Sequence, residues 1–148
     1  MMKGAIAAVC ISEKKGMRKT NIQQGNLVVE HGLEQDAHAG DWHRQVSLLS
    51  VSSVNKMVAA GLDVGAGDFA ENLTIEGLDV WSLPVGTKLK LSSGALLEIT
   101  QIGKECHTRC AIYYQAGDCV MPREGIFARV LQGGTVSVGE SIEVVPSV

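Results

Sequence analysis

"TKLKLSSGALLEITQI", residues 87–102, decides the fold class. Leu89 and Leu91 alternate with Lys88 and Lys90, the period-two pattern of a strand with one buried face. Ser92, Ser93 and Gly94 supply a turn, and "ALLEITQI" returns as a second strand, so the stretch reads as a β-hairpin. Working outward, similar short runs recur at "GAIAAVCIS" (4–12), Leu27–Glu30, "QVSLLSV" (45–51) and Asn72–Glu76. The final stretch, "GIFARVLQGGTVSVGESIEVVPSV" (125–148), reads as a strand or short helix, a Gly-Gly turn, and two strands broken at "GE". One short helix, "VNKMVAAG" (54–61), is expected after an N-cap at Ser52 or Ser53, with Gly61 ending it. Strands spaced near ten residues apart with few helices predict a mainly β protein: a closed or partly closed barrel of mostly antiparallel strands. A parallel α/β sheet would need more helical crossovers than the pattern offers.

With 148 residues the chain is expected to form a single domain, 1–148, large enough to hold a core without disulfides. Aromatic residues are only 4% of the chain against 45% hydrophobic overall, so Val, Ile, Leu and Ala must build that core. The net charge of −3 argues against a general nucleic-acid binder, which needs a basic footprint. No apolar run approaches the ~18–20 residues that cross a bilayer, so no membrane partner is expected. "MMKGAIAAVCIS" reads as a first strand rather than a signal peptide. A cytoplasmic location follows as the expectation, and there a structural disulfide is disfavoured.

Three of the four cysteines crowd into "GKECHTRCAIYYQAGDC" (103–119). The spacing from Cys106 through Cys110 to Cys119 is C-x3-C-x8-C, looser than the paired C-x2-C of structural zinc sites, though zinc stays open. Cys10 lies mid-strand and reads as a small buried hydrophobe; Cys119 fits that role or a framework one. Cys106 and Cys110 sit among Lys104, His107 and Arg109, neighbours that favour the thiolate, both a nucleophile and a soft metal ligand.

Four more clusters stand out. "SEKKGMRKT" (12–20) gathers Lys14, Lys15, Arg18 and Lys19 around Gly16, either a solvated loop or an anion cradle. "DAHAGDWHRQVSL" (36–48) places Asp36, His38, Asp41, His43 and Arg44 directly before a strand, where a barrel-mouth site would be built. "GDFAENLTIEG" (67–77) interrupts an apolar run with Glu71 and Asn72; Asn72 either braces the loop or offers a ligand its paired donor and acceptor. In "MPREGIFARV" (121–130), Arg123 can grip a phosphate or pair with Glu124.

Taken in order, "SEKKGMRKT", "HGLEQDAHAGDWHRQVSLLS", "GDFAENLTIEGLDVWSLPVGTKLKL", "LEITQIGKECHTRC" and "GIFARVLQGGTVSVGE" closely resemble the MOSC family. The name denotes the C-terminal domain of molybdenum-cofactor sulfurases, also found as a small free-standing bacterial protein. The resemblance runs from about residue 5 to 145 and is most specific in the D-x-H-x-G…R-Q-V-S-L and F-x-E-N-L segments. It implies a β-barrel that binds the molybdenum cofactor, a phosphorylated pterin dithiolene (molybdopterin). It also implies a cysteine that ligates molybdenum or carries sulfur as a persulfide. "K-E-C" at Lys104–Cys106 is similar to the K/R-P-C of small members, with Glu105 where Pro is common; "R-C" at Arg109–Cys110 is similar to the metal-ligating cysteine of the amidoxime-reducing branch. Cys110 is favoured as the molybdenum ligand or sulfur carrier, with Cys106 able to resolve a persulfide or disulfide. His38, Arg44 and Asn72 fall on the family's polar motif positions. Lys14, Lys15, Lys19, Arg109 and Arg123 complete the expected cofactor-binding set. The chain has no room for a pyridoxal-phosphate desulfurase domain, so the resemblance implies a separate cysteine desulfurase or other cofactor-biosynthesis partner as sulfur source and a molybdoenzyme as acceptor. A cofactor chaperone without chemistry, or a zinc-stabilised structural barrel, are the rival readings.

Overall fold

The computed structural model describes residues 2–14, 19–37, 39–61, 63–69, 71–103 and 124–145. The barrel strands are β1 (Lys3–Ile11), β5 (Val46–Ser50), β6 (Leu73–Glu76), β7 (Lys88–Leu91), β8 (Leu96–Ile102), β9 (Ile126–Gln132) and β11 (Ser141–Val144). They follow the order β11-β7-β8-β9-β5-β6-β1, and β1 pairs back onto β11 to close the barrel. The hairpin that sets the fold class is β7–β8, with Leu89 opposite Leu97 and Lys88 opposite Glu98. Four shorter or accessory pieces complete the sheet inventory: β2 (Thr20–Asn21) lies on β1, and β3 (Gln24–Val28), β4 (Gly32–Leu33) and β10 (Gly134–Ser137) form a small sheet of their own.

The expected barrel of mostly antiparallel strands is present, and its sheet is mixed. β5 and β6 run parallel, while the other barrel junctions are antiparallel. Parallel neighbours cannot be joined by a tight turn and need a crossover. That crossover is α1 (Val51–Ala59), which buries Ser53, Val54 and Met57. It starts earlier than the caps at Ser52 or Ser53 would place it, with Ser50 at the cap position. The Ser50 hydroxyl instead donates to the Leu78 carbonyl at 2.7 Å and accepts the Val80 N–H at 2.9 Å, tying the helix entry to the segment after β6.

The core is aliphatic, as the scarcity of aromatics requires. Ile6, Leu48, Leu73, Leu89, Leu97, Ile126 and Ile142 are all essentially inaccessible and come one from each barrel strand. Gly32, at φ +120°, shows why β4 can pair so closely with its surroundings: a Cβ there would lie 2.3 Å from the Gln45 carbonyl oxygen. No helix among the described residues is long and apolar enough to cross a membrane.

Candidate functional site

At the end of β1 three loops are stitched together by buried polar groups. They are the segment leaving β1 at Ser12, the loop carrying Asp36, and the loop of residues 64–72. Asp36 Oδ1 accepts from Lys19 Nζ at 2.7 Å and from the Ser12 N–H at 3.0 Å. Lys19 Nζ also donates to Ser12 Oγ at 3.2 Å, and both members of the ion pair are almost wholly buried. One carboxylate oxygen therefore fastens both ends of the basic loop. Burial pushes the Asp36 carboxyl up, but hydrogen bonds from Lys19, Asn72 and Ser12 and the Lys19 charge outweigh it and hold it below the ordinary value.

Asn72 is the hub of the same cluster. Its Oδ1 accepts from the Ser47 N–H (2.9 Å) and hydroxyl (3.2 Å), and its Nδ2 donates to the Cys10 carbonyl at 3.0 Å. The backbone follows the same path, with Asn72 N–H on the Ser47 carbonyl and Cys10 N–H on the Asn72 carbonyl. The side chain thus ties β1 to β5 at the start of β6. Glu71 beside it is fully buried, accepting from the Thr74 hydroxyl at 2.8 Å and the Phe69 N–H at 3.2 Å. Burial raises its carboxyl above the ordinary value, and the hydrogen bonds only partly offset this. The Cys10 thiol is pushed up to about 12, first by burial and then by the Glu71 charge, so it stays a neutral core group as its mid-strand position suggests.

The raised Glu71 carboxyl has a sign that can be measured. A group whose folded-state value is raised favours the fold below its unfolded value and loses that contribution as pH rises through the folded value. Glu71→Gln keeps the shape and allows the amide to donate to Thr74 Oγ1. Across that window the variant is expected to gain on the wild type by up to about 1.4 kcal/mol per pH unit. Urea denaturation of both proteins between pH 4 and 9 checks this; parallel stability curves would contradict it.

A second cluster surrounds Arg44, next to where β8 ends. Its guanidinium carbon lies 5.1 Å from the Phe127 ring centroid and 6.0 Å from that of Trp42. Arg44 Nε donates to Gln101 Oε1 at 3.1 Å, and His43 Nε2 lies 3.0 Å from the same oxygen. Gln101 Nε2 donates to the Gly103 carbonyl at 2.9 Å. Gly103 N–H in turn donates to the Gly125 carbonyl at 2.6 Å, which pins together the two positions flanking residues 104–123. On the far side Glu124 is held by Ser53 Oγ at 2.6 Å and by Lys56 Nζ at 2.8–2.9 Å, partners on α1.

The expected site residues therefore divide. Lys19 and Asn72 lie in the buried clamp. Arg44 lies half-buried at the base of the thiol-bearing stretch. Lys14 is exposed just after β1, with its carbonyl accepting from Ser12 Oγ at 3.1 Å. Lys15, His38, Cys106, Arg109, Cys110 and Arg123 lie outside the described residues, as does Cys119. Glu124, weighed as a partner for Arg123, is paired with Lys56. Among the described residues no group of three or more His, Cys, Asp or Glu is arranged to hold a metal. Sequence reasoning missed Gln101, whose only signal was its place in the last turn of a strand, before the cysteines.

Comparison with known proteins gives this arrangement a family. The model of the MOSC domain matches residues 34–143. The chain belongs to the MOSC domain family. The match takes in Asp36 and Asn72, the Arg44 cluster and the whole cysteine stretch, while Cys10, Ser12 and Lys19 of the clamp precede it. This MOSC chain is similar in structure to the YuaD protein of Bacillus subtilis, at TM-score 0.81 and 19% identity over 97% of this chain and 96% of that one. It is also similar to YiiM from Geobacillus stearothermophilus (TM-score 0.70, 19% identity, 97% and 75% covered) and to YiiM from Escherichia coli (TM-score 0.66, 21% identity, 100% and 72% covered). At these identities the likeness concerns the barrel itself. No curated protein matches the sequence.

Proposed function

We propose that this MOSC domain binds the molybdenum cofactor beside Arg44 and uses a cysteine of the adjoining stretch, Cys110 or Cys106, to ligate molybdenum or to carry sulfur. The observation that supports this reading most is the placement of Arg44 beside the pinned positions that flank residues 104–123. The half-buried guanidinium stacked on Phe127 suits the phosphate of a molybdopterin, because its planar fork of donors matches phosphate oxygens. Thiolates suit molybdenum, a soft centre, and the cofactor would supply the redox-active metal and dithiolene sulfur. Lys14, Lys15, His38, Arg109 and Arg123 are further candidate contacts. Lys19 and Asn72 serve this reading as residues that hold the loops, since their polar atoms bond to Asp36, Ser12, Ser47 and Cys10. A separate cysteine desulfurase would supply sulfur and a molybdoenzyme would receive it, within the cytoplasm.

Native mass spectrometry of protein purified anaerobically from its own source, wild type beside Cys110→Ser and Cys106→Ser, tests the proposal. A pterin–molybdenum adduct, or a persulfide adding roughly 32 Da that one variant alone loses, is the expected result. A bare polypeptide would overturn it. Zinc alone, with chelation unfolding the protein, would assign the thiols to a structural site instead. Cofactor bound equally by the double Cys→Ser variant would make the domain a chaperone without chemistry.

A further inference from the structure

β8 is irregular beside the Arg44 cluster. Ile99 pairs with Ala128 and Gln101 with Phe127, so Thr100 is an extra residue, a β-bulge. In a regular strand Thr100 and Gln101 would point to opposite faces. Here both reach residues 43 and 44. The Thr100 hydroxyl donates to the His43 carbonyl, and Gln101 Oε1 accepts from Arg44 Nε at 3.1 Å. Bulges re-aim side chains in this way. The partners of Gln101 also fix which way its amide lies. Arg44 Nε can only donate and the Gly103 carbonyl can only accept, so the amide oxygen faces Arg44 and the nitrogen faces Gly103. Phe127, directly opposite Gln101 on β9, meets the same guanidinium, whose carbon lies 5.1 Å from its ring centroid. Two opposed positions on neighbouring strands thus hold Arg44, Gln101 by its Nε edge and Phe127 by its face.

We propose that Gln101, aimed by the bulge at Thr100, is the positioning residue of this site. One end of its amide occupies Arg44 Nε, so that the guanidinium meets a ligand end-on, through its two Nη groups. The other end ties that setting to Gly103, whose N–H is held by the Gly125 carbonyl. Gln101 itself touches no ligand and acts through Arg44. This role rests on the reading that Arg44 meets an anionic ligand, and it assigns the residue that decides how the donors are presented. Without it the guanidinium would turn freely about its stem and lose the preset fork that favours a bidentate contact.

Nitrogen NMR of the full chain tests the tie, by comparing solvent exchange of the Arg44 Nε–H and the Gly103 N–H in wild type, Gln101→Met and Gln101→Glu. Methionine has similar length and makes neither bond. Glutamate keeps an acceptor for Arg44 but puts a second acceptor against the Gly103 carbonyl. The Arg44 Nε–H is expected to exchange about tenfold faster in Gln101→Met and no faster in Gln101→Glu, while the Gly103 N–H exchanges faster in both. The Ile99 N–H, bonded to the Thr87 carbonyl on the other side of β8, should not change. Cofactor loading, read by mass on protein from its own source, tests the consequence. Gln101→Met and Arg44→Gln are each expected to lower it at least about tenfold, and the double variant no further, because one residue acts through the other. Additive losses, or an Arg44 Nε–H that exchanges alike in wild type and Gln101→Met, would overturn the proposal. A wild type that carries no cofactor sinks the molybdenum reading instead, and the exchange rates alone then decide this one.

Discussion

Asp36→Ala is expected to lower stability by about 3–5 kcal/mol, the usual cost of removing one partner from a buried ion pair. The magnitude comes less from the lost attraction than from what is left behind. Lys19 Nζ, on a side chain only 1% accessible, would keep Ser12 Oγ but lose its counter-ion. The Ser12 N–H would lose its acceptor as well. The pair itself is not a net source of stability of that size, because its desolvation offsets much of its attraction. The double variant Lys19→Met, Asp36→Leu should therefore recover a large part of the loss. Urea denaturation at pH 7 of the single and double variants checks both statements; a single-variant loss below about 1 kcal/mol would place this pair with solvent-exposed ones. The lowered Asp36 carboxyl gives the pH sign: its contribution is present above the unfolded carboxylate range and is lost as pH falls through the folded value. Glu71 changes stability in the opposite direction and in a higher pH window, above its unfolded value, so Glu71→Gln is expected to leave the acid limb set by Asp36 parallel to that of the wild type.

Gly67→Ala is expected to cost about 2–5 kcal/mol. The residue adopts φ +86°, where an L side chain is disfavoured by roughly 1–2 kcal/mol. A Cβ there would also lie 2.1 Å from the Lys19 carbonyl oxygen and 3.3 Å from Cys10 Sγ. Neither neighbour gives way easily. The first is backbone that is itself bonded back, since Lys19 N–H donates to the Gly67 carbonyl at 2.8 Å, and the second is packed in the barrel. Forcing them apart adds about 1–3 kcal/mol. Gly61→Ala serves as the control. It shares a positive φ, +98°, but has nothing within 4 Å of its Cβ, so it should lose only the conformational part. Thermal melts of the two variants should separate them clearly, and equal losses would mean that the close approach to Lys19 costs nothing.

Much of the barrel was legible because period-two alternation survives wherever a strand has one wet face. β7 shows it fully, with Lys88 and Lys90 exposed and Leu89 and Leu91 buried. The break between β10 and β11 was legible at Gly139, which takes φ +90° in the turn there; the expected Gly-Gly turn is absent, since residue 133 alone separates β9 from β10 and neither Gly133 nor Gly134 has a positive φ. The parallel β5–β6 junction was not, because β5 is buried at every position and a continuous apolar run does not say which way its neighbour points. The helix start was displaced because Ser50, Ser52 and Ser53 all have hydroxyls that can cap. Which one sits at the cap is decided by tertiary contacts, such as Ser50 with Leu78 and Val80 and Ser52 Oγ with Asp79 at 2.6 Å. At the site, sequence order revealed the motif residues but could not separate loop fasteners from ligand contacts. Lys19 carries the same charge as Lys14, and the carboxylate of Asp36, seventeen residues on, balances that charge in the interior.

Barrel closure rests on β11, which pairs with β7 on one side and with β1 on the other, Lys3 opposite Glu143 and Ala5 opposite Ser141. The chain's first strand thus waits for its last. On a ribosome every other strand emerges before the ring can shut, and until residues 141–144 appear, β1 and β7 present unpaired edges. Contacts so distant in sequence carry a large loop-closure entropy, and proteins built on them fold slowly. The open intermediate would expose edges able to pair with another nascent chain. A domain of this design is consequently most vulnerable to aggregation during its own synthesis, however stable the finished ring.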